Sequence, residues 1–489
     1  MHTPSHKYLH KWGLSENISP EVVEEAKPPQ NEDRRNFLKK AGLGGLALGA
    51  FIKQPFAPTL EYAMQKVNKS SAPTDLKITD MRYAVVMNGY ARCPIIRIDT
   101  NQGISGWGEV RDGATWRYAL FLKSRIMGMN PCNVEMIFKK IKQFGFHGRQ
   151  GGGVCAVEMA LWDLAGKAYG VPAYQMLGGK YREKIRLYAD TPRLNDPEVF
   201  AAKMKDRIVN KGYTFLKMDF GLESLHKIPG TVVNSNFWDI SKQWENTQMT
   251  YGGTEHPFTQ IQITEKGLGI LSDYIGKVRD VIGYEIPLAS DHYGHFDLNN
   301  AIRLGKAVDK YRLAWLEDLV PWKFTEQWRD ISDALETPTI TGEDIYLKED
   351  FIKLCDARAV DLIHPDLATS GGLLETKRIA DYAEEKGVAM AMHFAGTPVS
   401  FAANLHCAAA TQNFTALEHH SVDLDYWDNL IKKTDKPLIE MGFARVPEGP
   451  GLGVELNEEE AKKHLDPEDN SFFRPTTEWD NMRSWDRLW

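Results

Sequence analysis

Cysteine is scarce in this chain. Its five residues, Cys93, Cys132, Cys155, Cys355 and Cys407, are odd in number, scattered, and without a Cys-x-x-Cys pair. That excludes a disulfide framework and a cysteine zinc site. There is no basic stripe or arginine-rich run, and the net charge is −7, so the composition offers nucleic acid no electrostatic footprint. An anionic substrate then needs a local positive charge, such as a metal ion. Long apolar runs are also missing: the run Ala41 to Phe51 has 11 residues, against the roughly 20 a helix needs to span a bilayer. What is present is 43% hydrophobic and 26% charged residue over 489 positions, the balance of a soluble globular protein larger than one ordinary domain.

Arg34-Arg35-Asn36-Phe37-Leu38-Lys39-Lys40 stands directly before that apolar run and resembles a twin-arginine export signal. The resemblance implies a partner in the twin-arginine export machinery and a periplasmic location, with tethering to the membrane if the signal is not cleaved near Ala63. That route carries folded proteins, which suits a chain that takes up a metal in the cytosol. The 33 residues ahead of the arginines are polar and rich in Pro and Glu, so the leader, 1–74, is expected to be disordered.

From about Lys77 the character changes. ITDMRYAVVM, CPIIRIDT and ISGWGEV, separated by Asn88-Gly89 and Asn101-Gln102-Gly103, predict a three-stranded antiparallel meander. Helical patterns follow over Phe121–Met127, Val134–Phe144 and Ala156–Tyr169, the last stopped by Gly170 and Pro172. Residues 75–183 thus form a small α+β domain.

Beyond it, one unit repeats: a short apolar run, an acid or histidine at its end, then a helical segment. The ends fall at Asp291, Glu317, Glu343, Asp366, His393 and Glu418, spaced by 23 to 27 residues, the length of one βα unit. Runs without polar alternation are strands covered on both faces, and such parallel units close into a TIM-like (β/α) barrel. Lys184–Asp190 and Tyr213–Asp219 supply strands one and two, placing the barrel at 184–421. The gap before Asp291 holds an insertion near 221–265, a lid or specificity element or an oligomer contact. The tail, 422–489, is expected to pack back on the small domain.

In such barrels the carboxyl ends of the strands form the active face. Asp291, Glu317 and Glu343 end three consecutive strands, where like charges repel unless a cation lies among them. Three hard oxygen ligands fit Mg²⁺. Asp366 and His393 come from the next two strands, and a carboxylate bonded to the imidazole makes His393 a general base. Glu418 faces back across the mouth, where a protonated or hydrogen-bonded carboxyl holds a substrate oxygen.

Carried by Ala156-Val-Glu158, Ala160-Leu-Trp162-Asp163-Leu164-Ala-Gly166-Lys167, Leu177-Gly-Gly179, Trp315-Leu-Glu317-Asp318, Gly342-Glu343-Asp344, Pro365-Asp366, Gly371-Gly372, His393 and Pro450-Gly-Leu-Gly453, the chain resembles the enolase superfamily. The likeness, over roughly 75–460, is to its mandelate racemase-like group of acid-sugar dehydratases and racemases. It implies a modified (β/α)₇β barrel under a capping domain, abstraction of a proton alpha to a carboxylate, Mg²⁺ ligands Asp291, Glu317 and Glu343, a dyad of Asp366 and His393, and Glu418 opposite. It also implies a homo-oligomer.

Racemases of the group carry Lys-x-Lys on strand two; here Lys217-Met-Asp219 stands instead. That disfavours a two-base racemase and leaves Lys217 to steady a substrate carboxylate or enediolate, or to form an ion pair. Dehydration of a small sugar acid, an aldonate or aldarate, to a 2-keto-3-deoxy acid asks for less: His393 as base and an acid for the beta hydroxyl. Candidates for that acid are His393 itself and His295, His292 or Tyr293, with His295 preferred. Leu319 stands where the group's motif continues with proline. The alternatives are a racemase, epimerase or cycloisomerase acting through the same enediolate, and an exported sugar-acid binding protein. Substrate identity is expected to rest on loops near Tyr90 and Asp112–Arg117 and on the insertion.

Overall fold

A computed structural model describes residues 73–482, apart from 147, 193, 220–224, 226–227, 234–260, 292, 294–295 and 433–436. The twin-arginine segment and most of the insertion lie outside the described residues, as do His292 and His295. Of the insertion, a short antiparallel pairing of Val232–Val233 with Gln262–Ile263 is described.

The expected meander is Ile78–Asn88, Ala91–Thr100 and Ser105–Glu109, paired antiparallel in that order. The helix Gly151–Tyr169 lies against its third strand. Contact is close because Gly108 has no side chain: a Cβ there would fall 1.9 Å from the Ala156 carbonyl oxygen.

Eight parallel strands follow in chain order: Lys184–Ala189, Leu216–Asp219, Leu288–Asp291, Leu316–Glu317, Thr339–Thr341, Leu362–Ile363, Ala389–Met392 and Phe414–His419. Each pairs with the next, and Leu417, Glu418 and His419 pair with Leu187, Tyr188 and Ala189, closing the barrel. A helix follows each of the first seven strands; the next described element after the eighth is the 3-10 turn Trp427–Leu430. This is the (β/α)₇β arrangement.

Pleating builds the site on this frame. Tyr188, Phe215, Ala289, Trp315, Ile340, Ala391 and Ala416, with Leu362 against them, form one apolar cluster to which every strand contributes. Two residues further along a strand the side chain returns to the same face. The layer above this floor is therefore Asp190, Lys217, Asp291, Glu317, His364, His393 and Glu418. The fifth strand breaks the rule, because two residues after Ile340 comes Gly342, at φ 142°, a backbone that only glycine adopts readily. The turn shifts the parity by one, and the carboxylate reaching the site is Glu343.

The small domain is fastened to the barrel by two buried acids. Glu109 accepts from the Thr397 amide (2.9 Å) and hydroxyl, at the start of the helix Pro398–Ala410. Glu158 accepts from the Leu373 and Leu374 amides (2.8 and 3.1 Å), at the start of the helix Leu373–Glu385. Both seats use the positive end of a helix. Burial nevertheless pushes each carboxyl up to about 8, against the donors that favour the ionised form. The tail returns to the same domain, with Leu465 bridging Val86 and Phe472 bridging Ala84 on the free side of the first meander strand. It also reaches the barrel, where Phe443–Arg445 pairs antiparallel with Lys184–Arg186. All five cysteines are free thiols.

Candidate active site

A cavity of about 300 Å³ opens at the carboxyl ends of the strands. Lys217, Asp219, Asp291, Glu343, His393 and His420 line its floor and walls, with Tyr90, Arg111, Asp112 and Arg149 closing it from the small domain. Past Tyr90, Asp112 and Arg149 it adjoins a second cavity of about 510 Å³, which Thr115, Trp116 and Arg117 also line. The loops expected to govern substrate identity thus stand at the mouth. Glu317, Asp366 and Glu418 are fully buried behind the lining.

The carboxylates are densely cross-linked. Lys217 Nζ lies 3.0 Å from Asp291 Oδ2, 3.3 Å from Glu317 Oε1 and 2.6 Å from Glu418 Oε1. Burial works against the lysine's charge, but these three acids raise its pKa well above the ordinary lysine value. Glu317 also takes His364 Nε2 at 3.1 Å and the Trp315 indole N–H at 3.0 Å. Burial opposes its ionisation, yet His364 and Lys217 hold its pKa below the usual carboxylate range. Glu418 is lowered further, by Lys217 and His420 against burial. Of the two states expected for Glu418, protonated or hydrogen-bonded, the surroundings favour the second: Lys217 and His420 favour its ionised form, and the Tyr188 hydroxyl donates to it at 3.0 Å.

His393 stands between two acids, with Nδ1 2.6 Å from Asp366 Oδ2 and Nε2 2.9 Å from Glu343 Oε2. Arg111 reaches down from the small domain to join them. Its Nη1 donates to Asp366 Oδ2 and lies 2.8 Å from His393 Nδ1, while Nη2 donates to Glu343 Oε1 at 3.3 Å. Burial lowers the His393 pKa, and Glu343, Glu418 and the Asp366 hydrogen bond more than reverse this.

Glu317 belongs to two close oxygen-bearing sets, one with Asp291 and Asp318, the other with Glu343 and His364. Within each, the candidate donor atoms lie within 4.8 Å of one another. Asp318, at φ 48°, turns the chain immediately after the fourth strand and so stands beside Glu317. Carboxylates crowded this closely, buried at Asp291 and Glu317 and half-buried at Asp318 and Glu343, fit a divalent, hard cation. Asp291 and Glu343 flank Glu317, each closing a different set.

Asp219 ends the second strand beside Asp291 in the ladder and lines the cavity. Tyr293 is corrected as a candidate acid. Its ring is wholly buried against Phe296, and its hydroxyl lies 2.6 Å from the Ser290 hydroxyl, away from the cavity. Four contributors escaped the sequence reading: Arg111, His364, Asp318 and His420. Strand parity marks two of them, His364 two residues before Asp366 and His420 two after Glu418.

A closed parallel barrel under a meander cap, with acids at successive strand ends and a carboxylate-held histidine facing them, defines a barrel enzyme of acid–base chemistry. The chain belongs to the enolase superfamily: residues 199–461 match the family model "Enolase C-terminal domain-like". Residues 66–178 match "Mandelate racemase / muconate lactonizing enzyme, N-terminal domain". Among curated relatives it is similar to the D-xylonate dehydratase of Haloferax volcanii, 29% identical over 83% of this chain and 95% of that protein. It is also similar to a D-mannonate dehydratase of Caulobacter vibrioides, 28% identical over 80% and 95%. Among solved structures, a mandelate racemase/muconate lactonizing enzyme-like protein from Rubrobacter xylanophilus superposes with a TM-score of 0.70 at 28% identity, over 82% of this chain and all of that one.

Proposed function

We propose that this protein is a Mg²⁺-dependent dehydratase of small sugar acids, converting an aldonate or aldarate to the 2-keto-3-deoxy acid. The observation that carries the reading is His393 on the cavity wall, oriented by Asp366 and with its other nitrogen 2.9 Å from Glu343, on a cavity that Asp291 also lines. Asp366 and Arg111 fix the Nδ1 side of the ring, and the alpha proton goes to Nε2, the nitrogen that faces Glu343 at 2.9 Å. When bound by Asp291, Glu317 and Glu343, Mg²⁺ supplies the positive charge against which the substrate carboxylate's added negative charge develops. Lys217, committed as a cation to three carboxylates, suits charge balance better than the second base of a racemase. The relatives' names point the same way, toward xylonate and mannonate dehydration.

Incubation with a panel of aldonates and aldarates and Mg²⁺ is expected to yield a 2-keto-3-deoxy acid from at least one member, and none once the metal is chelated. Recovered substrate of inverted configuration, deuterated in D₂O and without keto acid, would instead establish an epimerase.

Export through the twin-arginine route belongs to the same proposal and rests on Arg34-Arg35 before the apolar run. Among the described residues no helix is long and apolar enough to cross a membrane. Changing both arginines to lysine is expected to abolish periplasmic accumulation in a twin-arginine-competent host. Undiminished accumulation would end this part of the proposal.

A further inference from the structure

Two histidines share one wall of the cavity. His393 ends the seventh strand, and His420 follows the eighth, two residues past Glu418 and so on the same side of the chain. Their ring centroids are 5.7 Å apart, and both rings line the cavity. His420 faces two buried acids at ion-pair distance, with Nδ1 3.3 Å from Asp190 Oδ2 and Nε2 3.2 Å from Glu418 Oε1, the latter contact without hydrogen-bond geometry. Asp190 is itself 1% exposed, and neither of its carboxyl oxygens has a hydrogen-bond partner. Burial and the nearby Asp219 push the Asp190 carboxyl well above the usual range, with His420 and Lys217 acting against them, and the imidazole that its Oδ2 faces is His420.

We propose that His420 is the catalytic acid that protonates the departing beta hydroxyl, and that Asp190 is its positioning residue. This assignment rests on the dehydratase reading above. His393 removes the alpha proton, and the C–H electron pair is held in the enediolate. As it collapses, the pair forms the alpha–beta double bond, the beta C–O bond breaks, and the oxygen takes the His420 proton and leaves as water. His393 ends protonated and His420 neutral, and proton exchange with water resets both. The enol ketonises by losing its hydroxyl proton and gaining one at the beta carbon. Burial alone would discharge His420, but Asp190 and Glu418 hold it up to about 9, so the ring is charged at neutral pH.

The test uses the Mg²⁺-loaded enzyme in D₂O, with the panel acid that the wild type dehydrates fastest and its analogue carrying fluorine in place of the beta hydroxyl. Fluoride departs without a proton donor. In His420→Gln, dehydration is expected to fall by about 10² to 10⁴-fold, while recovered acid gains alpha deuterium and fluoride release stays within about tenfold of wild type. Asp190→Asn is expected to show the same split in weaker form, which loss of fold would not produce. Two results overturn the assignment: undiminished dehydration by His420→Gln, which returns the acid role to another group such as His393, or loss of exchange and fluoride release along with dehydration. If the wild type gives no keto acid from any member, the dehydratase reading itself fails, a result distinct from either of these.

Discussion

Replacing His393 with asparagine is expected to lower keto-acid formation by at least about 10³ to 10⁴-fold, the upper range for a positioned general base. The reason lies in how completely the ring is aimed. Asp366 and Arg111 occupy the Nδ1 side, Glu343 stands 2.9 Å from Nε2, and the ring forms part of the cavity wall. Asparagine keeps a polar group there but has no nitrogen that can accept a proton. Deuterium uptake at the alpha carbon must therefore disappear together with dehydration, whereas Mg²⁺ binding, measured by calorimetry, stays close to wild type. Residual exchange at the wild-type rate would mean that another base does the work. This pairing of readouts also separates His393 from His420, whose loss is expected to spare exchange.

The second large effect is expected at Glu317. It is the member common to both close sets of donors, and it sits at the centre of the charge network through Lys217 and His364. Glu317→Gln keeps the shape and the indole contact but removes one negative charge from the middle of the cluster. Cation affinity is set largely by how many charged oxygens a site offers. Mg²⁺ affinity is therefore expected to fall by more than about 100-fold, beyond the range typical of losing a supporting group, and turnover should vanish with it. An unchanged Mg²⁺ titration would remove Glu317 from the ligand set.

Stability adds a signed expectation for the same variant. The folded-state pKa of Glu317 lies below its ordinary 4.5, so its contribution is present above that value and lost as pH falls through the lower folded one. The wild type should therefore lose more melting temperature on acidification than Glu317→Gln.

Much of this was legible in advance, for a physical reason. A strand buried on both faces must be apolar until it reaches the barrel mouth, so the first charged residue after each run marks the active face. That reasoning finds Asp291, Glu317 and His393 from their places alone; after the sixth strand the first such residue is His364, with Asp366 two positions on. Glu343 was found for a different cause than parity, since Gly342 moves it into the site, and a φ of 142° leaves no trace in the sequence beyond the glycine itself. Arg111 was invisible: its partners Asp366 and His393 lie 255 and 282 positions away, and nothing local distinguishes it from an ordinary loop arginine. His420 and His364 could have been found by counting in twos. Which of the two forms Glu418 takes, protonated or hydrogen-bonded, depends on Lys217 and His420, whose nearness to it no local pattern shows.

The stitching of Leu465 and Phe472 onto Val86 and Ala84 also sets a timetable for biosynthesis. The meander is among the earliest described parts to leave the ribosome, yet its outer rim is closed by residues translated roughly 380 positions later. Until they arrive, a strand flank lies open to pairing with other nascent chains. A product cut short near residue 460 would retain every catalytic group and still expose that flank, and so would be lost to aggregation rather than to chemistry.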